Sequence, residues 1–161
     1  NSDAAVFQGT VPGQAMLGVY DTRSGARLAM LDLTATIGDE PEDARHFAND
    51  VTVDDEGVAY VTDSMNGAIY RVDTAYNATL FHQFPAQDPF MINGLVHHAS
   101  GALLVVDMAG GKLFRVPTTD PMSTAEVTLP EPIRGGRHVQ PSLRGETGNR
   151  RGAERLALGL R

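Results

Sequence analysis

Residues 49–73 (NDVTVDDEGVAYVTDSMNGAIYRVD) lie without a gap over residues 93–117 (NGLVHHASGALLVVDMAGGKLFRVP), and this internal repeat constrains the fold more than any other feature of the chain. At an offset of 44 residues, seven identities fall in register: Asn49 with Asn93, Gly57 with Gly101, Val61 with Val105, Asp63 with Asp107, Gly67 with Gly111, Arg71 with Arg115 and Val72 with Val116. Apolar residues match between them. A repeat of this length, built of short strands and turns, is the mark of a β-propeller blade.

Within each copy apolar residues alternate and the breaks fall at turn residues, which selects strands over helices. Val51 and Val53 alternate with Thr52, and Asp54-Asp55-Glu56-Gly57 then supplies a turn in which glycine can take a positive φ. Strands over 58–62, 68–72 and 79–84 complete one four-stranded antiparallel unit, with Asn66-Gly67 as the strongest hairpin signal. The second copy gives strands over 95–97, 102–106, 112–116 and 125–129. A partial third unit precedes them, because Ala15 to Tyr20 followed by Asp21 resembles Ala68 to Val72 followed by Asp73, with an outer strand over 27–33. The connection 34–48 carries Asp39, Glu40, Glu42 and Asp43 and reads as an acidic surface loop. Ile37 is the only large apolar residue within 35–46, too little for a buried helical face.

The expected fold is therefore all-β: a partial β-propeller of two full four-stranded antiparallel blades plus part of a third. The propeller occupies 1–133, with a blade remnant at 1–34 and blades at 47–84 and 91–130, and a tail follows at 134–161. A propeller closes with about 4 to 8 blades of about 40 to 45 residues, and 161 residues hold fewer than three complete ones. An open stack leaves apolar faces and strand edges wet, each square ångström forfeiting about 25 cal/mol, which predicts a fragment or self-association that covers the open faces.

The tail differs in kind. Residues 134–161 hold seven of the twelve arginines and two acids, against eighteen acids and six bases in 1–133. The repeat places the next blade start at 137, where the motif is missing. Gly135-Gly136-Arg137-His138-Val139-Gln140 is consistent with codons GGC GGA CGG CAT GTT CAA, which read one nucleotide on give Ala-Asp-Gly-Met-Phe, an Asp-Gly blade start. The expectation is an out-of-frame tail after about residue 133 or a disordered basic one; the nucleotide sequence of the gene separates the two.

The Asn-Asp and Asn-Gly blade starts, each followed by a turn, then VTDS or VVDM, then a strand of Gly, apolar, aromatic, Arg and Val, resemble the gluconolactonase, regucalcin (senescence marker protein) and LRE-like propellers. The plant and algal branch labelled calcium-dependent phosphotriesterases is the nearest in character. The resemblance covers Ala15 to about Pro132, most specifically His46 to Asp73 and Ile92 to Pro117. It implies a six-bladed parent with one divalent metal, usually calcium, at the mouth of the central channel, and hydrolysis of lactones or organophosphate esters. It assigns Asn93 as a metal ligand and Asn49 and Asp50 as residues lining the substrate channel. The first-blade Glu of that family has no counterpart here, and its Asp-Gly start is what the tail has lost.

Residues at the start of the innermost strand converge on a propeller axis, so Asn49 and Asn93 are expected to face one cavity. The alternative is that each caps the turn entering its strand. Two amide oxygens and Asp50 fall short of the 6 to 8 oxygens a calcium ion takes, so weak binding is expected, and no base stands ready to activate a bound water.

The remaining motifs carry less. His97 and His98, with His46 and His82, supply imidazole for a transition metal, but adjacent residues of a strand face opposite sides. Asp63 and Asp107 recur where turn caps are needed. Gly110-Gly111-Lys112 lacks the spacing of a phosphate loop, and no serine sits on a nucleophile elbow. The acidic body argues against nucleic acid, and no apolar run is long enough to span a bilayer. A small-molecule ligand is the expected partner. Asn77-Ala78-Thr79 is a glycosylation acceptor if the protein is secreted, and the secretory route is favoured over the cytoplasm. Two function classes remain: a metal-dependent hydrolase, or a non-catalytic propeller segment that binds a ligand or protein.

Overall fold

A computed structural model describes residues 14–41, 43–86, 91–131, 133 and, for the backbone alone, 156–160. The strands are β1 (Met16–Asp21), β2 (Arg27–Asp32), β3 (Ala48–Val53), β4 (Ala59–Asp63), β5 (Ala68–Val72), β6 (Ala78–Gln83), β7 (Ile92–His98), β8 (Ala102–Asp107), β9 (Lys112–Pro117), β10 (Ala125–Glu126) and β11 (Leu156–Leu160). They form three antiparallel sheets, ordered β11-β1-β2, β3-β4-β5-β6 and β7-β8-β9-β10. The fold is all-β, a partial propeller of two complete four-stranded blades and part of another.

The two complete blades are built alike because their turns are. Gly57 and Gly101 take φ of 85° and 72°, and Gly67 and Gly111 take 66° and 67°, values that a side chain disfavours. Each hairpin therefore closes at the same step of the repeat. Inner strands β3 and β7 carry the same irregularity, a register shift between Ala48 and Val51 and between Ile92 and Leu95. It lifts the blade-start pairs Asn49-Asp50 and Asn93-Gly94 out of the ladder.

A third repeated bond fixes where each blade ends. The N–H of Leu33 donates to Ala15 O at 2.8 Å, that of Phe84 to Gly67 O at 3.0 Å and that of Ile133 to Gly111 O at 2.9 Å. Ala15, Gly67 and Gly111 each stand one residue before a blade's third strand, so β1 and β2 are the third and fourth strands of the first blade. Two expectations change. The outer strand of the last blade is shorter than 125–129: the Val127 N–H still reaches Leu113 O at 2.8 Å, but Pro130 has no N–H with which to continue. Residues 156–160 of the tail form β11, with Leu160 opposite Leu17 and Leu156 opposite Asp21, giving the backbone of an edge strand its partner. Residues 134–155 and 161 lie outside the described residues.

The core sits between blades. Leu17, Val19 and Leu33 of the first blade pack with Val61, Ala68, Tyr70 and Val72 of the second. Tyr60, Ile69 and Phe84 on the other side of the second blade pack with Leu103, Val105, Phe114 and Val116 of the third. Val61, Tyr70 and Val72 occupy the repeat positions of Val105, Phe114 and Val116, so each blade offers a leading face to its predecessor and a trailing face to its successor. Full burial of side chains of this size contributes about 1.5–3 kcal/mol each.

Apolar packing sets the distance between blades, and three polar bonds set their register. The Leu95 N–H donates to Asp50 Oδ2 at 3.0 Å and the His97 N–H to Thr52 Oγ1 at 3.1 Å. The Thr62 hydroxyl donates to Asn93 O at 2.8 Å and accepts the Asp50 N–H at 3.1 Å. Three backbone groups on the open edge of β7 are thereby bound by side chains of the second blade. Replacing Asp50 by Ala removes a charged acceptor from a part-buried N–H and is expected to cost about 2 kcal/mol, against about 1 kcal/mol for Thr52→Val; the shift in urea midpoint at constant slope measures both.

Candidate functional site

The structure places Asn49, Asp50 and Asn93 at the starts of the adjacent inner strands β3 and β7. Asn49 and Asn93 are half-buried and oriented alike. Asn49 Nδ2 donates to Ser64 Oγ at 2.8 Å and Asn93 Nδ2 to Met108 Sδ at 3.6 Å. Ser64 and Met108 are themselves repeat positions, each held by its N–H to Phe47 O or Met91 O. Among the described residues, neither side chain bonds the turn entering its strand. Each amide is steadied by one N–H, and among the described residues its second N–H and its carbonyl oxygen make no other hydrogen bond.

Asp50 does something else. Its Oδ1 accepts the Val51 N–H at 2.9 Å while Oδ2 accepts that of Leu95, so its carboxylate joins two blades. Calcium therefore fits these residues poorly. The neutral oxygens of Asn49 and Asn93 are the right kind of donor, but two fall short of 6 to 8. No group of three His, Asp or Glu that could hold a metal occurs among the described residues. His97 is half-buried and His98 exposed, with Nδ1 2.9 Å from Ser100 Oγ. Asn77 lies exposed in the turn after β5, its Nδ2 bonded to Asp73 Oδ2 at 3.0 Å.

Sequence reasoning missed a buried polar cluster beside these strand starts. Asp63 is fully buried. Its Oδ1 accepts N–H groups from Phe47, Met65 and Asn66 at 2.8, 3.2 and 3.3 Å, which is the turn-capping role expected of it. Its Oδ2 accepts the Tyr70 hydroxyl at 3.0 Å and lies 2.6 Å from His46 Nδ1. On the far side of the imidazole, His46 Nε2 lies 2.9 Å from Glu40 Oε2, and Glu40 Oε1 accepts from Asn66 Nδ2 at 2.9 Å. Glu40, expected on an acidic surface loop, turns inward to close this chain of bonds.

Burial alone would lower the His46 pKa, but the hydrogen bond and charge of Asp63, joined by Glu40, raise it above its ordinary value. Burial, then the Asp63 carboxylate, pushes the Tyr70 phenol far up, so it stays a neutral donor. An Asp-His-Glu row invites comparison with a proton relay, yet every nitrogen and oxygen in it already faces a protein partner. The signal that could have revealed it is Tyr70 itself, a hydroxyl where the repeat carries Phe114. In the third blade Asp107 Oδ1 accepts, among the described residues, from Met91 and Ala109, and Gly110 stands where Asn66 does because a Cβ there would collide with the Asp107 carboxylate.

His82 is the opposite case. Its Nε2 is buried with no hydrogen-bond partner among the described residues, and its ring meets Phe84 edge-on, centroids 4.6 Å apart. Burial lowers its pKa.

Comparison with solved structures supports the architecture. The chain is similar to virginiamycin B lyase from Staphylococcus aureus at 20% identity and a TM-score of 0.58, over 76% of this chain and 37% of that one. A catalytically inactive form of that lyase with quinupristin gives the same figures. A protein of unknown function from Bacteroides caccae gives 12% identity and a TM-score of 0.50, over 83% of this chain and 49% of that one. The chain thus spans little more than a third of the lyase and shares its fold at propeller level. No family model and no curated protein matches the sequence.

The two histidines make stability depend on pH in opposite senses. His46, with its folded pKa raised above 6.5, contributes stability that is complete below 6.5 and is lost as pH climbs through the raised value. His82, with its folded pKa lowered below 6.5, contributes stability that is complete above 6.5 and is lost as pH falls toward the lowered value. Melting curves from about pH 5 to 9 should flatten on the alkaline side for His46→Gln and on the acid side for His82→Phe. Asp63→Asn, which breaks a buried pair, should cost about 3 kcal/mol or more.

Proposed function

We propose that the chain is a segment of an enzyme-type propeller of the hydrolase kind, and that Asn49 and Asn93 are its contribution to recognising a polar small molecule at the channel mouth. The observation that carries this reading is their matched orientation, each amide fixed by one N–H against Ser64 or Met108. Among the described residues, an N–H and a carbonyl oxygen on each remain for a ligand. Lactones and phosphate esters present the complementary groups, a C=O or P=O that accepts from the amide. The resemblance to gluconolactonase-type propellers supports that substrate class. The likeness to a lyase with a propeller fold supports an enzymatic parent at a coarser level.

This reading makes the described residues a binding element rather than a complete centre of reaction, since none of them is placed as a base beside the two asparagines. Calcium, which the resemblance implies, would have to draw most of its oxygens from elsewhere, so no step is derived through it. A second reading, a non-catalytic segment that binds a ligand or protein, is favoured by the use of Asp50 as a joint between blades.

A soluble six-membered lactone titrated into nitrogen-15-labelled protein tests the proposal. The side-chain amide signals of Asn49 and Asn93 should shift together, and Asn93→Ala should weaken the interaction about tenfold, the effect of about 1.4 kcal/mol. Unmoved amide signals would leave the non-catalytic reading. Calcium at about 1 mM should leave the melting temperature unchanged, because a site weaker than about 10 mM gains less than about 0.1 kcal/mol. A clear rise would show that residues beyond the two asparagines complete a cation site.

A further inference from the structure

Two carboxylates grip one imidazole where the connection 34–48 meets the second blade. His46 Nδ1 lies 2.6 Å from Asp63 Oδ2, and its Nε2 lies 2.9 Å from Glu40 Oε2. A neutral imidazole brings one N–H and a carboxylate brings none, so both contacts are hydrogen bonds only when the Asp63-His46-Glu40 row holds one further proton. Whether that proton sits on the ring or on Glu40, its loss leaves two acceptors facing each other across one of the gaps.

The gap that opens is the one to Glu40. Asp63 is fully buried, and its carboxylate also accepts the Tyr70 hydroxyl and the N–H groups of Phe47, Met65 and Asn66, so it is fixed in place and keeps the ring N–H. The Glu40 side chain is 19% exposed and can turn to water. The titratable groups that face His46 are Asp63 from β4, Tyr70 from β5 behind it and Glu40 from the connection, with Asp32 at the end of β2 adding its charge at Tyr70. Burial opposes the charged ring, and the bonds and charges of Asp63 and Glu40 outweigh it, so the further proton is held past the ordinary imidazole value.

The segment that Glu40 holds is tied at both ends and exposed between them. Ile37 before it packs against the core between the first and second blades, and the Phe47 N–H after it donates to Asp63 Oδ1. Gly38 takes a φ of 86°, with open space where a Cβ would stand. Gly38, Asp39, Pro41, Asp43 and Arg45 are exposed, and Glu40 supplies the side-chain bonds to the second blade, to His46 and to Asn66 Nδ2. A blade closes without this row: Phe90, Gly110 and Phe114 stand at the repeat positions of His46, Asn66 and Tyr70, yet the third blade forms the same hairpin, with Asp107 accepting from Met91 and Ala109.

We infer that His46 and Glu40 form a proton-operated catch: with the further proton bound, the segment 38–45 is held against the second blade, and without it Glu40 lets go and the segment swings out on Gly38. The catch adjoins the turn 63–67, whose Ser64 accepts from Asn49. An effect on ligand binding rests on the reading of Asn49 above; the catch itself does not.

The chain has no cysteine, so Asp39→Cys takes a single nitroxide label at an exposed position of the segment. Its electron paramagnetic resonance spectrum should lose the slow-motion component as pH rises from about 6 to 9, while the strand signal in circular dichroism is kept. Adding Glu40→Ala should remove the slow component at every pH. Adding Glu40→Gln should retain it at every pH, because an amide can donate to the unprotonated Nε2 and still accept from Asn66. A label that keeps its slow component to the alkaline end overturns the inference. So does a Glu40→Gln protein that loses it where the parent does, and so does a loss that runs in step with the strand signal, which would mark unfolding of the blade. No ligand enters the experiment, so its failure leaves the reading of the two asparagines standing.

Discussion

The joint between β3 and β7 is the interaction on which the remainder of the architecture depends. Apolar faces alone would let two blades slide, since the hydrophobic effect has no direction. Asp50, Thr52 and Thr62 remove that freedom by binding the β7 backbone at Leu95, His97 and Asn93. They also fix how the blade-start asparagines stand relative to one another. At the repeat positions of these three residues the third blade has Gly94, Val96 and Val106, none of which can make such bonds. Any successor to the third blade must be held by packing or by its own side chains.

A second constraint lies one layer deeper. Every complete blade needs an acceptor for the N–H groups at the end of its second strand, and an aspartate supplies it in both. In the third blade Asp107 accepts from Met91 and Ala109. In the second blade the same carboxylate also takes the Tyr70 hydroxyl and His46, and through His46 it secures Glu40 and the connection from the first blade. A buried carboxylate beside an imidazole that favours its charged form is a polar hub in an otherwise apolar sheet, and its full set of partners makes it tolerable.

Much of the fold was legible because it is written twice. The identities at Gly57 and Gly101 and at Gly67 and Gly111 mark turns that only glycine enters easily, and the strands between them followed within a residue or two. The repeat also located the blade starts. It could not say where Asp50 would aim its carboxylate, because Gly94 at the matching position has no side chain to compare. The inward turn of Glu40 was hidden for a related reason: an acidic loop is solvated by default, and only the placement of His46 and Asn66 gives that glutamate something to bind. Strand β11 had no signal in the repeat, since its sequence belongs to no blade motif.

The matched bulges in β3 and β7 have a bearing on how such a channel can change. Residues 49 and 93 stand outside the ladder, so exchanging them alters no ladder pair and costs one side-chain bond, to Ser64 or to Met108. Each of the two complete blades therefore presents one position whose side chain can be exchanged while the frame around it persists. A lineage of such rings could try new specificities one position at a time, with foldability and selectivity evolving on separate residues.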